Sequence, residues 1–259
     1  MKVLSLIKDE LVEAGRQIYD KGLIVATEGN LSVRDKGLIV VTPAGLCKGL
    51  LHPEDLVVTD LEGKQTAGNR KLSSEFAMHL RVYKLREDVH AVVHAHPPHA
   101  TGFAVAGIPL DRALLAEVIA TLGCVPLAKY GTPATEELSD AIAPLIPSYD
   151  AILMSNHGAI SYGSSLQEAL FKMETLEHFA HIALVTKILG QQQVLPRESV
   201  DKLFAAREKY GIKLPDQDRS ICPVVREQII DTETITLTRS ELFDLIDKAI
   251  QRVSQEHNK

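Results

Sequence analysis

The sequence predicts a layered domain of mixed class, α/β or α+β, in which helices and short strands share one core. Hydrophobic residues make up 45% of the 259 positions, which is ample for a packed interior. Short runs rich in β-branched residues are punctuated by glycine and proline, as strands joined by turns would be. Longer segments between them carry apolar residues at helical spacing. Both element types are therefore expected in one domain.

A helix is predicted at the start of the chain, where Gly22 ends a helical spacing of Leu4, Ile7, Leu11, Ala14 and Ile18. The predicted strands are LSVR (31–34), GLIVVTP (37–43), DLVVTD (55–60), HAVVHAH (90–96) and DAILMS (150–155). Further helices are predicted over 73–86, 135–146 and 165–189. The main domain is therefore placed at residues 1–190.

After Gly190 the helical periodicity of apolar residues weakens and prolines become frequent. Residues 191–236 contain several prolines and little periodicity, which predicts one more short helix and a linker. Residues 237–259 then predict an amphipathic helix, since Thr238 and Glu241 form a capping-box pattern. Its apolar face would carry Leu242, Ile246, Ala249, Ile250 and Val253. A terminal amphipathic helix after a linker indicates a binding partner.

Composition argues against several function classes. The net charge of −6 is spread over stretches of mixed sign without a basic run, so no nucleic acid partner is expected. No apolar run of about 18 residues occurs, so no membrane span is expected. Cys47, Cys124 and Cys222 are isolated and odd in number, which argues against a disulfide framework and favours a reducing compartment. We therefore expect a cytoplasmic protein that binds a small molecule.

Two histidines stand two residues apart in VVHAHPP, residues 92–98. Because a strand sends residues i and i+2 to one face, His94 and His96 would lie side by side, as metal ligands do. His157 follows the apolar run AILMSN and is the best candidate for a third ligand. The alternative is that these imidazoles only bond the backbone near turns.

Glu75 follows Ser73 and Ser74 at the start of a predicted helix. One interpretation is capping, in which a serine satisfies free amides and Glu75 complements the positive helix end. The other is that these groups bind a phosphate while Glu75 acts as a general acid and base beside a metal.

Two loops, ATEGN (26–30) and VTPAG (41–45), allow a similar choice. Each can be an ordinary turn, or a place where backbone amides approach an oxyanion. Neither loop decides the matter alone.

Together and in this order, the motifs resemble the class II aldolase/adducin family over about residues 5–190. The matching segments are Gly29-Asn30-Leu31-Ser32, Thr42-Pro43-Ala44-Gly45, Ser73-Ser74-Glu75, His94-Ala95-His96 and Asn156-His157-Gly158. The resemblance implies a central antiparallel sheet flanked by helices, in a homotetramer with active sites at subunit interfaces. It also implies a zinc ion, or another divalent transition metal, held by the three histidines and by Glu75, which doubles as the acid/base.

By the same resemblance, the substrate phosphate would be held by Asn30, Gly45, Ser73 and Ser74, with Thr27 nearby. The implied reaction cleaves a ketose 1-phosphate of the fuculose or rhamnulose type to dihydroxyacetone phosphate and an aldehyde such as lactaldehyde. Two departures bear on this reaction. Ala44 stands where the fuculose-phosphate aldolases carry a threonine, and residues 108–123 lack the tyrosine that donates a proton in those enzymes.

Alternatives remain at this point. Tyr130 or Tyr210 could replace the missing tyrosine, although a structural role is expected for Tyr130. The same fold could serve a dehydratase, a decarboxylase or an epimerase of a related sugar phosphate, or a scaffold of the adducin type without catalysis. Residues 238–254 resemble the encapsulation peptides of enzymes packaged in bacterial microcompartments, so they could bind a shell protein, or instead dock on the enzyme itself.

Overall fold

The computed structural model describes residues 4–209, and one mixed sheet of eight strands forms its centre. The strands are β1 (Asn30–Asp35), β2 (Leu38–Val41), β3 (Val57–Asp60), β4 (Gln65–Ala67), β5 (Ala91–Ala95), β6 (Leu127–Ala128), β7 (Ala151–Met154) and β8 (Gly158–Gly163). Their order across the sheet is β4-β3-β2-β1-β5-β8-β7-β6. All neighbouring pairs are antiparallel except β6 with β7.

Seven α-helices are found within residues 4–209: α1 (Leu4–Asp20), α2 (Phe76–Leu85), α3 (Pro98–Val105), α4 (Ala116–Thr121), α5 (Glu136–Ile142), α6 (Leu166–Ile188) and α7 (Arg197–Lys209). In this part of the chain, no helix is both long and apolar enough to cross a membrane. The predicted fold, a central antiparallel sheet flanked by helices, is confirmed, with β6–β7 as its parallel exception.

Strand alternation divides the sheet between two helical layers. Leu31 and Val93 point into the main core, where α1 and α6 pack against the central strands. Ser32, on the opposite face of β1, hydrogen-bonds to His79 and Tyr83 of α2. The face that carries Ser32 is therefore covered by α2, and polar side chains can be buried there because they have partners.

Within residues 4–209, the predicted helices and strands are all present, with shifted ends. The structure adds elements there that no prediction named: β4, β6, β8, α3 and α4. Helix α7 lies within the 191–236 segment, where one short helix was predicted. Cys47 is a free thiol, but Cys124 is disulfide-bonded, which the sequence argument against a disulfide framework did not anticipate. The predicted helix at 237–259 lies outside the described residues, and the domain boundaries, the shell interaction and the tetramer stay predictions.

A buried ion cluster joins α6 to β7 at the end of the sheet remote from His94. Lys172 Nζ lies 2.7 Å from Asp150 Oδ2 and 2.6 Å from Glu168 Oε1. Arg86 Nη2 lies 3.0 Å from Asp150 Oδ1. Because Asp150 is 2% exposed, its charge depends on these two cations rather than on water.

We expect Lys172→Met to lower the free energy of unfolding by about 3 kcal/mol, because the buried Asp150 carboxylate loses one of its two cationic partners. Urea denaturation measures the change. Lys202→Met, which removes an exposed partner of Glu198, is the control and should cost less than about 1 kcal/mol. Equal losses in the two variants would contradict the assignment.

Candidate metal centre and active site

Three histidines and one carboxylate converge where β5 ends, where β7 turns into β8, and where α2 begins. His94 lies in β5 and His96 just beyond it, while His157 lies in the turn between β7 and β8. Pairing of Ala95 with Ala159 in the β5–β8 ladder brings that turn beside His96. Glu75 immediately precedes α2 and reaches the histidines from the other layer.

Three distances between nitrogen and oxygen atoms of these side chains are close to those of a tetrahedral site. Glu75 Oε2 lies 3.3 Å from His94 Nε2, and Glu75 Oε1 lies 3.1 Å from His157 Nε2. The Nε2 atoms of His94 and His96 are 3.2 Å apart, and candidate ligand atoms of the three histidines all lie within 4.8 Å. Tetrahedral zinc with bonds of about 2.0–2.1 Å separates its ligands by about 3.3–3.4 Å. The donor set therefore fits a zinc ion.

Hydrogen bonds to the other ring nitrogens orient two of the histidines. His94 Nδ1 donates to the carbonyl of Ala159 at 2.9 Å, and His96 Nδ1 donates to Glu28 Oε2 at 3.0 Å. Each bond leaves the Nε2 lone pair free for a metal. His157 Nδ1 is buried and has no hydrogen-bond partner in the described part of the chain.

The pKa shifts of His96 and Glu75 both favour the deprotonated forms that bind a metal. Burial and the neighbouring His94 and His157 lower the pKa of His96 to about 4, so its imidazole is neutral at neutral pH. Burial alone would raise the pKa of Glu75. Hydrogen bonds and charge from His157 and His94 outweigh that effect and hold the pKa of Glu75 well below its usual range.

Two glycines allow the ligand segments to pack closely. A Cβ on Gly158 would lie 2.5 Å from Cδ2 of His96 and 2.6 Å from the Ala95 carbonyl oxygen. Gly29 has φ +68°, and a Cβ there would lie 2.8 Å from the His94 carbonyl oxygen. Any larger residue at either position would push a histidine segment away from the centre.

The side chain of Glu75 does not cap α2. Glu75 is the residue before the helix, yet its carboxylate makes no capping hydrogen bond and points to His94 and His157 instead. Ser73 Oγ accepts a hydrogen bond from the Glu75 backbone N–H at 3.3 Å. The serine therefore supports the turn, as the capping interpretation held, while the carboxylate belongs to the histidine cluster.

A buried series of hydrogen bonds runs behind Glu75. A single direction of donation, from Tyr83 toward Glu75, is consistent with every bond in the series. The Tyr83 hydroxyl donates to Ser32 Oγ at 2.8 Å, and the Ser32 hydroxyl donates to His79 Nδ1 at 2.7 Å. His79 Nε2 donates to Asn30 Oδ1, and Asn30 Nδ2 donates to Glu75 Oε2 at 2.8 Å. The amide of Asn30 is thereby held with its N–H toward the carboxylate.

This direction of donation requires His79 to be neutral, because its Nδ1 must accept. Burial, together with the charge of nearby His94, lowers the pKa of His79 to about 3, which provides the neutral form. Sequence reasoning assigned no role to His79. Its position one helical turn after Glu75 was the available signal, since residues i and i+4 share a helix face.

The three predicted substrate loops meet beside the histidines. The Ala44 N–H donates to the Lys71 carbonyl at 3.0 Å, and Pro43 forms an isolated bridge with Leu72, so the TPAG turn adjoins Ser73. The bond from Asn30 to Glu75 links the first loop to the third.

The five predicted substrate residues differ in exposure. Thr27, Gly45 and Ser74 are exposed, Ser73 is half-buried, and Asn30 is buried with its amide engaged by Glu75. Tyr130 is 59% exposed and Tyr210 lies outside the described residues, so no tyrosine is assigned as a proton donor.

Two further residues were missed by sequence reasoning. Glu28 orients His96, and its place in the ATEGN loop was the only signal. Lys48 donates to the carbonyls of Thr27 and Leu46 and so ties the first loop to the second. A single lysine after TPAGLC carried no recognisable pattern.

Comparison with known proteins places the chain in one family. The family described as Class II Aldolase and Adducin N-terminal domain matches residues 9–184. The 5-deoxy-D-ribulose 1-phosphate aldolase of Bacillus thuringiensis serovar kurstaki is 35% identical over 213 residues, covering 81% of this chain and 99% of that protein. The L-fuculose phosphate aldolase of Methanococcus maripaludis strain C5 is 32% identical over 174 residues, covering 67% of this chain and 93% of that protein.

A solved structure of an L-fuculose 1-phosphate aldolase superposes with a TM-score of 0.74 at 34% identity, covering 79% of this chain and 96% of the other. The match of family, relatives and fold agrees with the cluster of three histidines and one carboxylate. The chain therefore belongs to the class II aldolase and adducin family, among its metal-dependent aldolases.

Proposed function

We propose that this protein is a zinc-dependent aldolase that cleaves a ketose 1-phosphate to dihydroxyacetone phosphate and an aldehyde. The observation that carries the proposal is the cluster of three imidazoles and one carboxylate. Glu75 lies 3.3 Å from His94 and 3.1 Å from His157, and the Nε2 atoms of His94 and His96 are 3.2 Å apart. Their retention argues against a scaffold of the adducin type.

The names of the relatives support a substrate class. One relative is named for 5-deoxy-D-ribulose 1-phosphate and another for L-fuculose phosphate. Both sugars are ketose phosphates that end in a methyl group. We therefore choose candidate substrates that share this methyl group: the 1-phosphates of fuculose, rhamnulose and 5-deoxyribulose. The first two would release lactaldehyde.

His94, His96 and His157 would hold the zinc ion, with Glu75 as a fourth ligand. A bound zinc ion acts as a Lewis acid that neutralises negative charge on the substrate oxygens. Imidazole ligands suit other divalent transition metals as well, so zinc rests on the spacing and on the family resemblance.

Glu75 would handle the proton at the carbon where the bond breaks. During cleavage the C4 hydroxyl loses a proton, the C3–C4 bond breaks, and C3 gains a proton. A carboxylate at this position can act as a general base that collects a proton and as a general acid that passes it to C3. Asn30 donates to the same carboxylate and would keep its orientation through the transfer.

The three loops would hold the phosphate through Thr27, Asn30, Gly45, Ser73 and Ser74. Gly45 has φ +71° and no atom within 4 Å of the position that a Cβ would occupy, so its backbone is open to a ligand. Ala44 contributes no hydroxyl, which leaves the binding to backbone amides and to the hydroxyls of the other loops.

Incubation of the zinc-loaded protein with each candidate ketose 1-phosphate should release dihydroxyacetone phosphate, measured by coupled oxidation of NADH. Glu75→Gln is the inactive control. A dehydrated or decarboxylated product, with no dihydroxyacetone phosphate from any candidate, would refute the aldolase and favour its rivals on the same fold. The absence of both turnover and bound metal would favour the adducin-type scaffold.

We expect His94→Ala to lose bound zinc, because it removes one of three nitrogen ligands. Glu75→Gln should retain zinc on the three histidines while its cleavage rate falls about 10²–10⁴-fold, as expected on loss of an acid/base. Zinc is measured per chain by elemental mass spectrometry. The control is His90→Ala at an exposed histidine, and full zinc occupancy in the His94 variant would refute the site.

We expect His79→Leu to lower kcat about tenfold at unchanged zinc content, because Asn30 loses the partner that aims it at Glu75. It should also cost about 2 kcal/mol of stability, since buried polar groups lose their partners. Tyr83→Phe is the matched control, because it removes only the hydroxyl at the far end of the hydrogen-bond series. This variant should keep the wild-type kcat. An unchanged kcat in a folded His79→Leu protein would contradict this positioning role.

A further inference from the structure

Lys48 is a buried cation without a carboxylate partner. The residue is 2% exposed, and its ammonium donates to the carbonyls of Thr27 at 2.7 Å and Leu46 at 2.9 Å. Within residues 4–209, no carboxylate lies at ion-pair distance from it, whereas buried Lys172 has both Asp150 and Glu168. Burying a charge costs free energy unless the charge is paired, so a buried lysine without a carboxylate partner indicates a role other than stabilising the fold.

The backbone of Lys48 is held firmly in place. A Cβ on Gly15 of α1 would lie 2.5 Å from the Lys48 carbonyl oxygen, so α1 packs directly on this residue. A Cβ on the adjacent Gly49 would lie 2.6 Å from the Tyr19 ring. Lys48 therefore offers its two loops a rigid anchor on α1.

The two carbonyls that Lys48 binds belong to the loops proposed to hold the phosphate. One lies in the loop of Thr27 and Asn30, and the other follows Gly45 directly. Thr27 and Gly45 are exposed, while the ammonium is buried, so the charge lies inside the protein and the open backbone faces outward. Burial lowers the pKa of Lys48 to about 8, and the nearby Glu75 and Cys47 oppose the shift, so the ammonium form persists at neutral pH.

We infer that Lys48 is a positioning residue for the substrate phosphate: its ammonium joins the Thr27 loop to the Gly45 turn and supplies, behind both, a positive charge that has no ion-pair partner within residues 4–209. The inference rests on the proposed function and adds a residue to it. The phosphate would complete the charge balance that the protein itself leaves open. Binding of the part of the ketose that becomes the aldehyde would not depend on this charge.

The test compares Lys48→Gln, which removes the charge and keeps an N–H donor, with Lys48→Met, which removes both. KM and kcat are measured for the ketose 1-phosphate and for the same ketose without phosphate. Inorganic phosphate binding is measured separately by calorimetry. Lys172→Met, which removes a buried lysine remote from the site, is the matched control.

We expect Lys48→Gln to raise both KM for the phosphorylated ketose and the Kd of inorganic phosphate by about tenfold to a hundredfold. This is the order of the Coulomb attraction lost with one nearby charge at an effective dielectric constant of about 20. The kcat and the turnover of the unphosphorylated ketose should stay at the wild-type level. Lys48→Met should show at least the same loss, whereas Lys172→Met should leave the phosphate affinity unchanged.

An unchanged phosphate Kd in Lys48→Gln would overturn the inference, even if the wild-type protein cleaves the ketose phosphate. Equal losses with and without the substrate phosphate would also overturn it, because they indicate a purely structural role. If the wild-type protein cleaves no ketose phosphate, the proposed function fails, and the calorimetric comparison still decides whether Lys48 supports anion binding. Wild-type protein that binds no inorganic phosphate would refute the inference about Lys48, whereas the cleavage assay alone decides the proposed function.

Discussion

The sharing of one carboxylate between two imidazoles is the interaction on which the site depends. Glu75 meets His94 and His157 through its two oxygens, although these residues come from different layers of the fold. Although burial alone would raise the pKa of Glu75, the two imidazoles beside it hold that pKa well below its usual range. This arrangement also brings the ligand atoms to the spacing that a tetrahedral ion requires.

Behind Glu75, support for this arrangement extends outward through hydrogen bonds between neutral groups. The chain from Tyr83 to Asn30 ends on Glu75, and each of its groups has a partner despite complete burial of the middle members. A fully satisfied polar network is rigid because each rotation would leave a buried donor or acceptor unpaired. Glu28 and the Ala159 carbonyl give His96 and His94 the same constraint.

Charge is distributed differently at the two ends of the sheet. Remote from the histidines, Asp150 is balanced by Arg86 and Lys172, which serves the fold alone. Near the histidines, Lys48 has only neutral carbonyls as hydrogen-bond partners. Balanced charges suit a structural cluster, whereas an unbalanced cation beside exposed backbone suits a site that receives an anion.

Local patterns in the sequence were enough for the fold class, most helices and strands, and the identity of the candidate ligands. The helical spacing around Leu11 and the HxH pair at His94 and His96 depend only on neighbours a few residues away. The order of the motifs along the chain then indicated the family. The short strands β4 and β6 escaped prediction because pairing with neighbouring strands stabilises them, whereas their own residues show no alternation.

Only the tertiary structure decided which partners those residues meet. The bonds from His79 to Asn30, from Glu28 to His96 and from Lys48 to Thr27 span long stretches of chain, and each depends on strand register or on loop packing. No local pattern encodes such a contact, because its energy is realised only when the sheet has formed and buried both groups. The sequence by itself therefore determined the candidate ligands, and the folded chain decided their orientation and their charge.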